Sequence, residues 1–195
     1  MVLLPLLAAC TSTADDTAAS KDTDVPKDTD VAPGDFAMSL PAATSSADHA
    51  LADRCAWELS VAYECENPSP EVRWENAPAG TVAFALVLDD PDAAEFDHWA
   101  VVNLPAEVGS LGAGISGQGI VADLPGDAYQ LENGFGFEGY LGSCPPEPHV
   151  YRWRVWALSE ALPTDLDRFT QVESQAAEVA LATAETCHIY GPKTE

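Results

Sequence analysis

The sequence predicts a mainly all-β domain, an antiparallel β-sandwich with one helix near its C-terminus, and three observations support this. Apolar stretches of strand length recur at Trp57 to Tyr63, Val82 to Leu88, His98 to Leu104 and Tyr151 to Leu158. Turn clusters rich in Gly, Pro, Asn and Ser separate them, for example Asn67 to Pro70 and Ala77 to Gly80, the spacing expected of a sandwich. Only Thr170 to Glu185 reads as a helix, being rich in Ala and opened by Thr170-x-x-Glu173 as a capping box.

With 195 residues, 47% of them hydrophobic, the chain has room for one domain with a true core and some tail. Its 32 acidic and 8 basic side chains give a net charge of -24. Such a surface repels polyanions, so nonspecific binding to nucleic acid or to bare anionic lipid is not expected. No apolar run reaches the eighteen or so residues that cross a bilayer as a helix.

Residues 1–10, MVLLPLLAAC, form a short apolar run ending in Leu7-Ala8-Ala9-Cys10. That ending resembles the lipobox of bacterial lipoproteins, in which the chain is cut before the cysteine and the cysteine is lipidated. The resemblance implies anchoring through Cys10 to the bacterial cell envelope, at the outer membrane or cell surface. Two or more acyl chains hold stably, each buried methylene contributing about 0.8 kcal/mol. Residues 11–35 contain seven Asp, no aromatic residue and a short repeat, KDTDVP from Lys21 and KDTDVA from Lys27. Too little apolar surface is available there to offset ordering entropy, so a disordered acidic tether is expected. Globular composition begins at Phe36 and places the domain at 36–195.

The most informative stretch is Leu86 to Asn103, LVLDDPDAAEFDHWAVVN. It reads as two buried strands, Val82 to Asp89 and His98 to Leu104, joined by an acidic turn carrying Asp90, Pro91 and Asp92. Ionisable groups at the ends of packed strands lose water and must be paired or change protonation state, which points to a site. Asp and Pro are also ordinary turn formers, and turn closure alone would account for them. The second informative stretch is Gly134 to Tyr151, GFGFEGYLGSCPPEPHVY. Its glycines permit close backbone approach, Pro145-Pro146 stiffens the exit, and His149 and Tyr151 fall on one side of the following strand. A loop with free amides beside a histidine and a phenol resembles a small-anion cradle.

If Cys10 is lipidated, Cys55, Cys65, Cys144 and Cys187 remain, none in a C-x-x-C pair. Zinc is therefore weakly supported, and an exported chain favours two disulfides among three connectivities. The pairing expected is Cys65 with Cys144 and Cys55 with Cys187.

Taken together, DPDA, HWAVVNLPA and GYLGSCPPEPHVY, preceded by CENPSPEVRW from Cys65, resemble the phosphatidylethanolamine-binding protein family. The likeness is closest to its compact bacterial branch, often called Raf kinase inhibitor-like, and runs from about Phe36 to Tyr190. It implies a Greek-key β-sandwich with a pocket for phosphate-bearing groups. Carried over by position, Asp90 and Asp92 match the family's D-P-D, His98 the pocket histidine, and His149 and Tyr151 its H-x-Y. Gly142 to Pro146 match the G-x-C-P-P loop, so Gly142, Cys144 and Pro145 join the ligand-binding set. This sequence departs from the family at Ala94 and Ser143, where Pro is usual, and over Thr44 to Leu59.

The function expected is a membrane-anchored binding domain for a phosphate-bearing small molecule or phospholipid head group. Its pocket rim is available to a protein partner that it would modulate or inhibit. No cofactor, metal or catalytic residue is implied, and nothing in the sequence sets an oligomeric state. The alternative is a hydrolase using Asp92 or His149 as general base, or Asp90, Asp92 and His98 as metal ligands. No serine or cysteine of the two motifs has an obvious base beside it in sequence, which favours binding.

Overall fold

A computed structural model describes residues 34–60 and 63–192. The lipobox ending in Cys10, and the tether up to residue 33, lie outside the described residues. From there the chain forms β1 (Ala37–Ser39), β2 (Thr44–Ser45), β3 (Trp57–Glu58), β4 (Val72–Glu75), β5 (Ala83–Asp90) and β6 (Phe96–Pro105). The 3-10 turn Pro91–Ala93 joins β5 to β6. Then come β7 (Ser110–Leu111), β8 (Tyr129–Gln130), β9 (His149–Leu158), α1 (Phe169–Val179) and β10 (Ala180–Tyr190).

A seven-stranded sheet, in the order β2-β3-β10-β9-β5-β6-β8, faces a three-stranded sheet, β1-β4-β7. All pairings are antiparallel except β3 with β10. The fold is thus a mostly β sandwich with one late helix, as expected.

Strand β5 explains why the large sheet is covered on both faces. All eight of its residues are buried, and alternate side chains point opposite ways. Phe84, Leu86 and Leu88 join Trp74, Trp99 and Trp153 in the core between the sheets. Ala83, Ala85 and Val87 join Phe169, Val172 and Ala176 of α1 in a second core on the far side. Burying one Leu or Phe side chain stabilises by about 1.5–3 kcal/mol, so this strand is the mechanical centre of the domain.

Two expectations need correction at the C-terminal end. The helix stops at Val179, and residues 180–185, read as its continuation, open β10 instead. Ala favours helix, but Ala184 and Thr186 alternate with more exposed neighbours, and pairing with β9 runs from Ala180↔Leu158 to Tyr190↔His149. Ten residue pairs of tertiary contact override a weak local propensity. The capping residue also differs. Gln171, rather than the Thr170-x-x-Glu173 pair, accepts from the backbone amides of Asp167 and Arg168, while Glu173 pairs with Arg154. Similarly, the strand expected over Trp57 to Tyr63 ends at Glu58.

Both expected disulfides are present. Cys55–Cys187 ties the β3 region to β10 with Cα atoms 5.9 Å apart, and Cys65–Cys144 ties the loop before β4 to the loop before β9 at 4.9 Å.

Candidate functional site

At one end of the sandwich, the β5–β6 turn, the start of β9 and the loop 134–146 enclose a cleft of about 530 Å³. Asp90, His98, Gly142, Cys144, Pro145, His149 and Tyr151, seven of the eight expected ligand-binding residues, line it. Asp92 does not.

Asp90 is 3% exposed and closes the β5–β6 turn as an N-cap. Its Oδ1 accepts from the amides of Asp92 and Ala93 at 3.0 and 3.2 Å, the ordinary work of an Asp before a Pro-led turn. Oδ2 remains for His149, whose Nδ1 lies 2.7 Å away. The turn-closing and the site readings of Asp90 therefore hold together, one oxygen for each. With Nδ1 donating to the carboxylate, His149 keeps Nε2 for the cleft, and Asp90 supports the charged ring should it take up a proton.

His98 is held differently. Register slips between Leu88↔Trp99 and Asp89↔Asp97, so His98 falls at a bulge, a common device for re-aiming a side chain. Its Nδ1 donates to the Leu141 carbonyl at 2.8 Å, and its own carbonyl accepts from the Leu141 amide at 2.9 Å. A backbone carbonyl, rather than a carboxylate, sets this tautomer. Burial holds its pKa below the ordinary histidine value, against the pull of the Leu141 carbonyl and the Asp90 charge. The neutral ring offers Nε2 as an acceptor.

Tyr151 is 1% exposed, and its ring meets His98 edge-on at 5.2 Å. Burial first, and then the Asp90 charge, raise its pKa, so the phenol stays protonated and able to donate.

Asp92 faces away because its oxygens are taken. Arg54 Nη2 donates to Oδ1 at 2.7 Å, and the Val150 amide donates to Oδ2 at 2.9 Å. The Arg54 hydrogen bond, more than any other contact, lowers its pKa. It fastens the turn to the start of β9 and so positions His149. Arg54 belongs to the segment where the family pattern could not be followed, and no sequence signal marked it. Among the described residues no group of three or more His, Cys, Asp or Glu side chains is placed to hold a metal. The set Asp90, Asp92 and His98 fails because Asp92 is turned toward Arg54.

The expected cradle of loop amides is also narrower than its glycines suggested. The Gly142 amide donates to the Cys65 carbonyl at 3.0 Å, and Pro145 and Pro146 have no N–H. A Cβ on Gly142 would come within 2.6 Å of the Tyr63 carbonyl oxygen and of Glu64. Close approach is thus what this glycine provides, but to the chain's own backbone rather than to a ligand. The disulfide Cys65–Cys144 sits in the same wall. An apolar side missed in the sequence completes the cleft. Phe96, Phe135 and Phe137 line it with Leu141 and Pro146, and Phe135 is 74% exposed at the mouth.

The family model described as Phosphatidylethanolamine-binding protein matches residues 44–191. The UPF0098 protein YbcL of Escherichia coli strain K12 is 42% identical over 112 residues, which cover 53% of this chain and 61% of that protein. The putative lipoprotein LppC of Mycobacterium tuberculosis strain H37Rv is 33% identical over 111 residues, covering 53% of this chain and 51% of LppC. These alignments therefore span less than two thirds of either relative. Among solved structures, that of E. coli YbcL, described as a new member of the mammalian PEBP family, superposes with a TM-score of 0.68 at 29% identity. It covers 81% of this chain and 99% of YbcL. A putative phosphatidylethanolamine-binding protein homolog from Chlamydia trachomatis D/UW-3/CX superposes at 0.67 and 23% identity, covering 82% and 99%, a likeness of fold alone.

Proposed function

Because this chain belongs to the phosphatidylethanolamine-binding protein family, we propose that it is a binding protein whose cleft holds a phosphate-bearing small molecule or phospholipid head group. The observation that carries this reading is the Asp90–His149 pair at 2.7 Å, set beside Tyr151 and His98 in one cleft. Among the described residues no Lys or Arg lines that cleft. An anion would therefore be held by histidine and tyrosine donors rather than by a fixed cation. His149 takes up a proton and donates through Nε2 while Asp90 supports the imidazolium, and Tyr151 donates its phenolic proton. His98, neutral, accepts from a protonated phosphate oxygen or an ammonium group of the ligand. Phe96, Phe135 and Phe137 would receive the apolar part of the same molecule, and the exposed rim is available to a protein partner.

Hydrolysis is the weaker reading. Both Asp92 oxygens are engaged, one by Arg54 and one by the Val150 amide, and Cys144 is in a disulfide. We further propose that Cys10 carries the lipid anchor; a relative of this chain bears the name putative lipoprotein.

The test of the site is calorimetry with phosphoethanolamine. His149→Ala is expected to weaken binding by about ten- to a hundredfold, the worth of a charge-assisted hydrogen bond, with the fold intact. Absence of binding to the wild type would reject the anion site. The anchor is tested separately: Cys10→Ser should leave the membrane fraction, and unchanged partitioning would reject lipidation.

A further inference from the structure

The two disulfides occupy unlike surroundings. Cys55 is 4% exposed and, with Cys187, packs among Leu51, Trp57, Val150 and Ile189. Cys65 and Cys144 instead both line the cleft, and Cys144 is exposed. A small molecule that enters the cleft therefore meets the second bond, while the first is covered by apolar side chains. Exposed disulfides are the ones open to thiol exchange.

The bond joins a segment fixed from the core to one that leans on it. In residues 140–143, the Tyr140 amide donates to Ser116 Oγ at 2.8 Å and the Leu141 amide to the His98 carbonyl at 2.9 Å. Ser143 Oγ lies 3.1 Å from Nε2 of the buried His188, whose ring stacks on Tyr151 at 4.7 Å. Residues 63–66 rest against this wall. The Cys65 amide donates to the Ser143 carbonyl at 3.1 Å, the Gly142 amide to the Cys65 carbonyl at 3.0 Å, and the Tyr140 hydroxyl to the Tyr63 carbonyl at 2.7 Å. Cys65 itself sits at φ 48°, a left-handed backbone that is costly for a residue other than glycine and persists where surrounding contacts over-determine it. Opening the disulfide removes the covalent member of that set of contacts.

We propose that Cys65–Cys144 is a thiol–disulfide exchange site in the cleft wall, with a small thiol as co-reactant, and that its opening lowers the affinity of the cleft for a phosphate-bearing ligand. The attacking thiolate bonds to Cys144 Sγ, the protein S–S bond breaks, and Cys65 leaves as a thiolate, giving a mixed disulfide on Cys144. A second thiolate attacks the small-molecule sulfur of that mixed disulfide and releases Cys144. Two thiols are thereby oxidised to one disulfide, the protein bond is reduced by two electrons, and the two protons given up by the thiols pass to Cys65 and Cys144. The segment carrying Cys65 and Glu66, which lines one side of the cleft, is then held by hydrogen bonds alone. The effect on the ligand rests on the anion-site reading above; the exchange site does not.

The test uses the full chain, dithiothreitol as the thiol, peptide mapping after alkylation, and phosphoethanolamine calorimetry. Under limiting dithiothreitol, Cys65 and Cys144 should become alkylated while Cys55 and Cys187 stay paired. The reverse order, or simultaneous opening, would overturn the exchange site. In the selectively reduced protein the Cys65 and Gly142 amides should lose protection from hydrogen exchange while the Leu141 amide keeps it, and unchanged protection of Cys65 and Gly142 would overturn release of the segment. Phosphoethanolamine should bind that form about threefold or more weakly, the loss when the segment spends about a third of its time in place. Reciprocally, saturating phosphoethanolamine should raise by the same factor the ratio of reduced to oxidised dithiothreitol at which the bond is half open. The double variant Cys65→Ser with Cys144→Ser should show the same loss of affinity without reductant. Equal or tighter binding by the reduced protein would overturn the coupling. Failure of the wild type to bind phosphoethanolamine, with Cys65–Cys144 still opening first, would instead reject the anion site and keep the exchange site.

Discussion

Asp89 and Asp90 are neighbours on one strand, 2% and 3% exposed, yet they have opposite fates. Asp89 points to the helix side of the sheet, where Arg152 bonds it through two nitrogens and Arg154 donates at 3.1 Å. Arg154 in turn pairs with Glu173 of α1, and Arg152 with Glu95 at 3.3 Å. Asp89, Glu173 and both arginines thus have permanent counter-charges. Asp90 points into the cleft, where its partners are two turn amides and a histidine. Guanidinium is always charged, whereas imidazole changes charge on demand and has a second nitrogen to offer. The partner's chemistry, rather than the carboxylate or its burial, separates a fixed brace from a responsive site.

The sharpest break of this comparison is a pair of isosteric variants. Asp89→Asn leaves two guanidiniums without their shared counter-charge and should destabilise by about 3 kcal/mol, the low end for a broken buried pair because both arginines keep some contact with water. Phosphoethanolamine affinity of the folded protein should hardly change. Asp90→Asn keeps a capping oxygen, so its stability loss should be about 1 kcal/mol, while binding weakens by about tenfold or more through loss of the charge that supports His149. Urea unfolding and calorimetry on the two variants decide. Tighter binding in Asp90→Asn would mean that simple repulsion, rather than support of the imidazole, governs the site.

Acid sharpens the same contrast with opposite signs. On the cleft side, burial lowers the pKa of His98 and pushes that of His188 down to about 3. Below the ordinary value of about 6.5 the unfolded chain takes up protons that these folded rings refuse, so stability falls as pH drops from there. For His188 the loss is about 1.4 kcal/mol per pH unit until its folded value is reached, and His188→Gln should remove that part of the slope. On the helix side, burial, with Glu173 and Asp89 nearby, pushes Asp97 up to about 6. Its contribution is present in acid and lost as pH rises through 6. Because Asp97 is only partly buried, the gain from Asp97→Asn at pH 7 should be under about 1 kcal/mol and should vanish at pH 4. Denaturation midpoints across pH for the two variants test both signs, and like-signed changes would break the contrast.

Much of the site was legible because its residues lie in two compact motifs with local chemistry. D-P-D must form a turn, and H-x-Y puts both rings on one side of a strand. The hidden part came from long-range pairing. Arg54 reaches Asp92 across 38 residues, and His188 reaches Ser143 across 45. His188 was further obscured because the Ala-rich run before it reads as helix when taken alone.

The sequence by itself determined the sandwich class and the strand positions flanking the acidic turn, and seven of the eight residues it singled out line the cleft, since each follows from short-range periodicity, turn chemistry or family motif. It also marked the ionisable groups of the two informative stretches, without separating a site from ordinary turn closure. Only the tertiary structure decided which partner each of those groups received. Asp92 was drawn to Arg54, Gly142 to the backbone of residues 63–65, and Asp89 and Asp90 to opposite faces of one sheet. A strand's alternation says that neighbours diverge, but what waits on each face is supplied by elements distant in the chain.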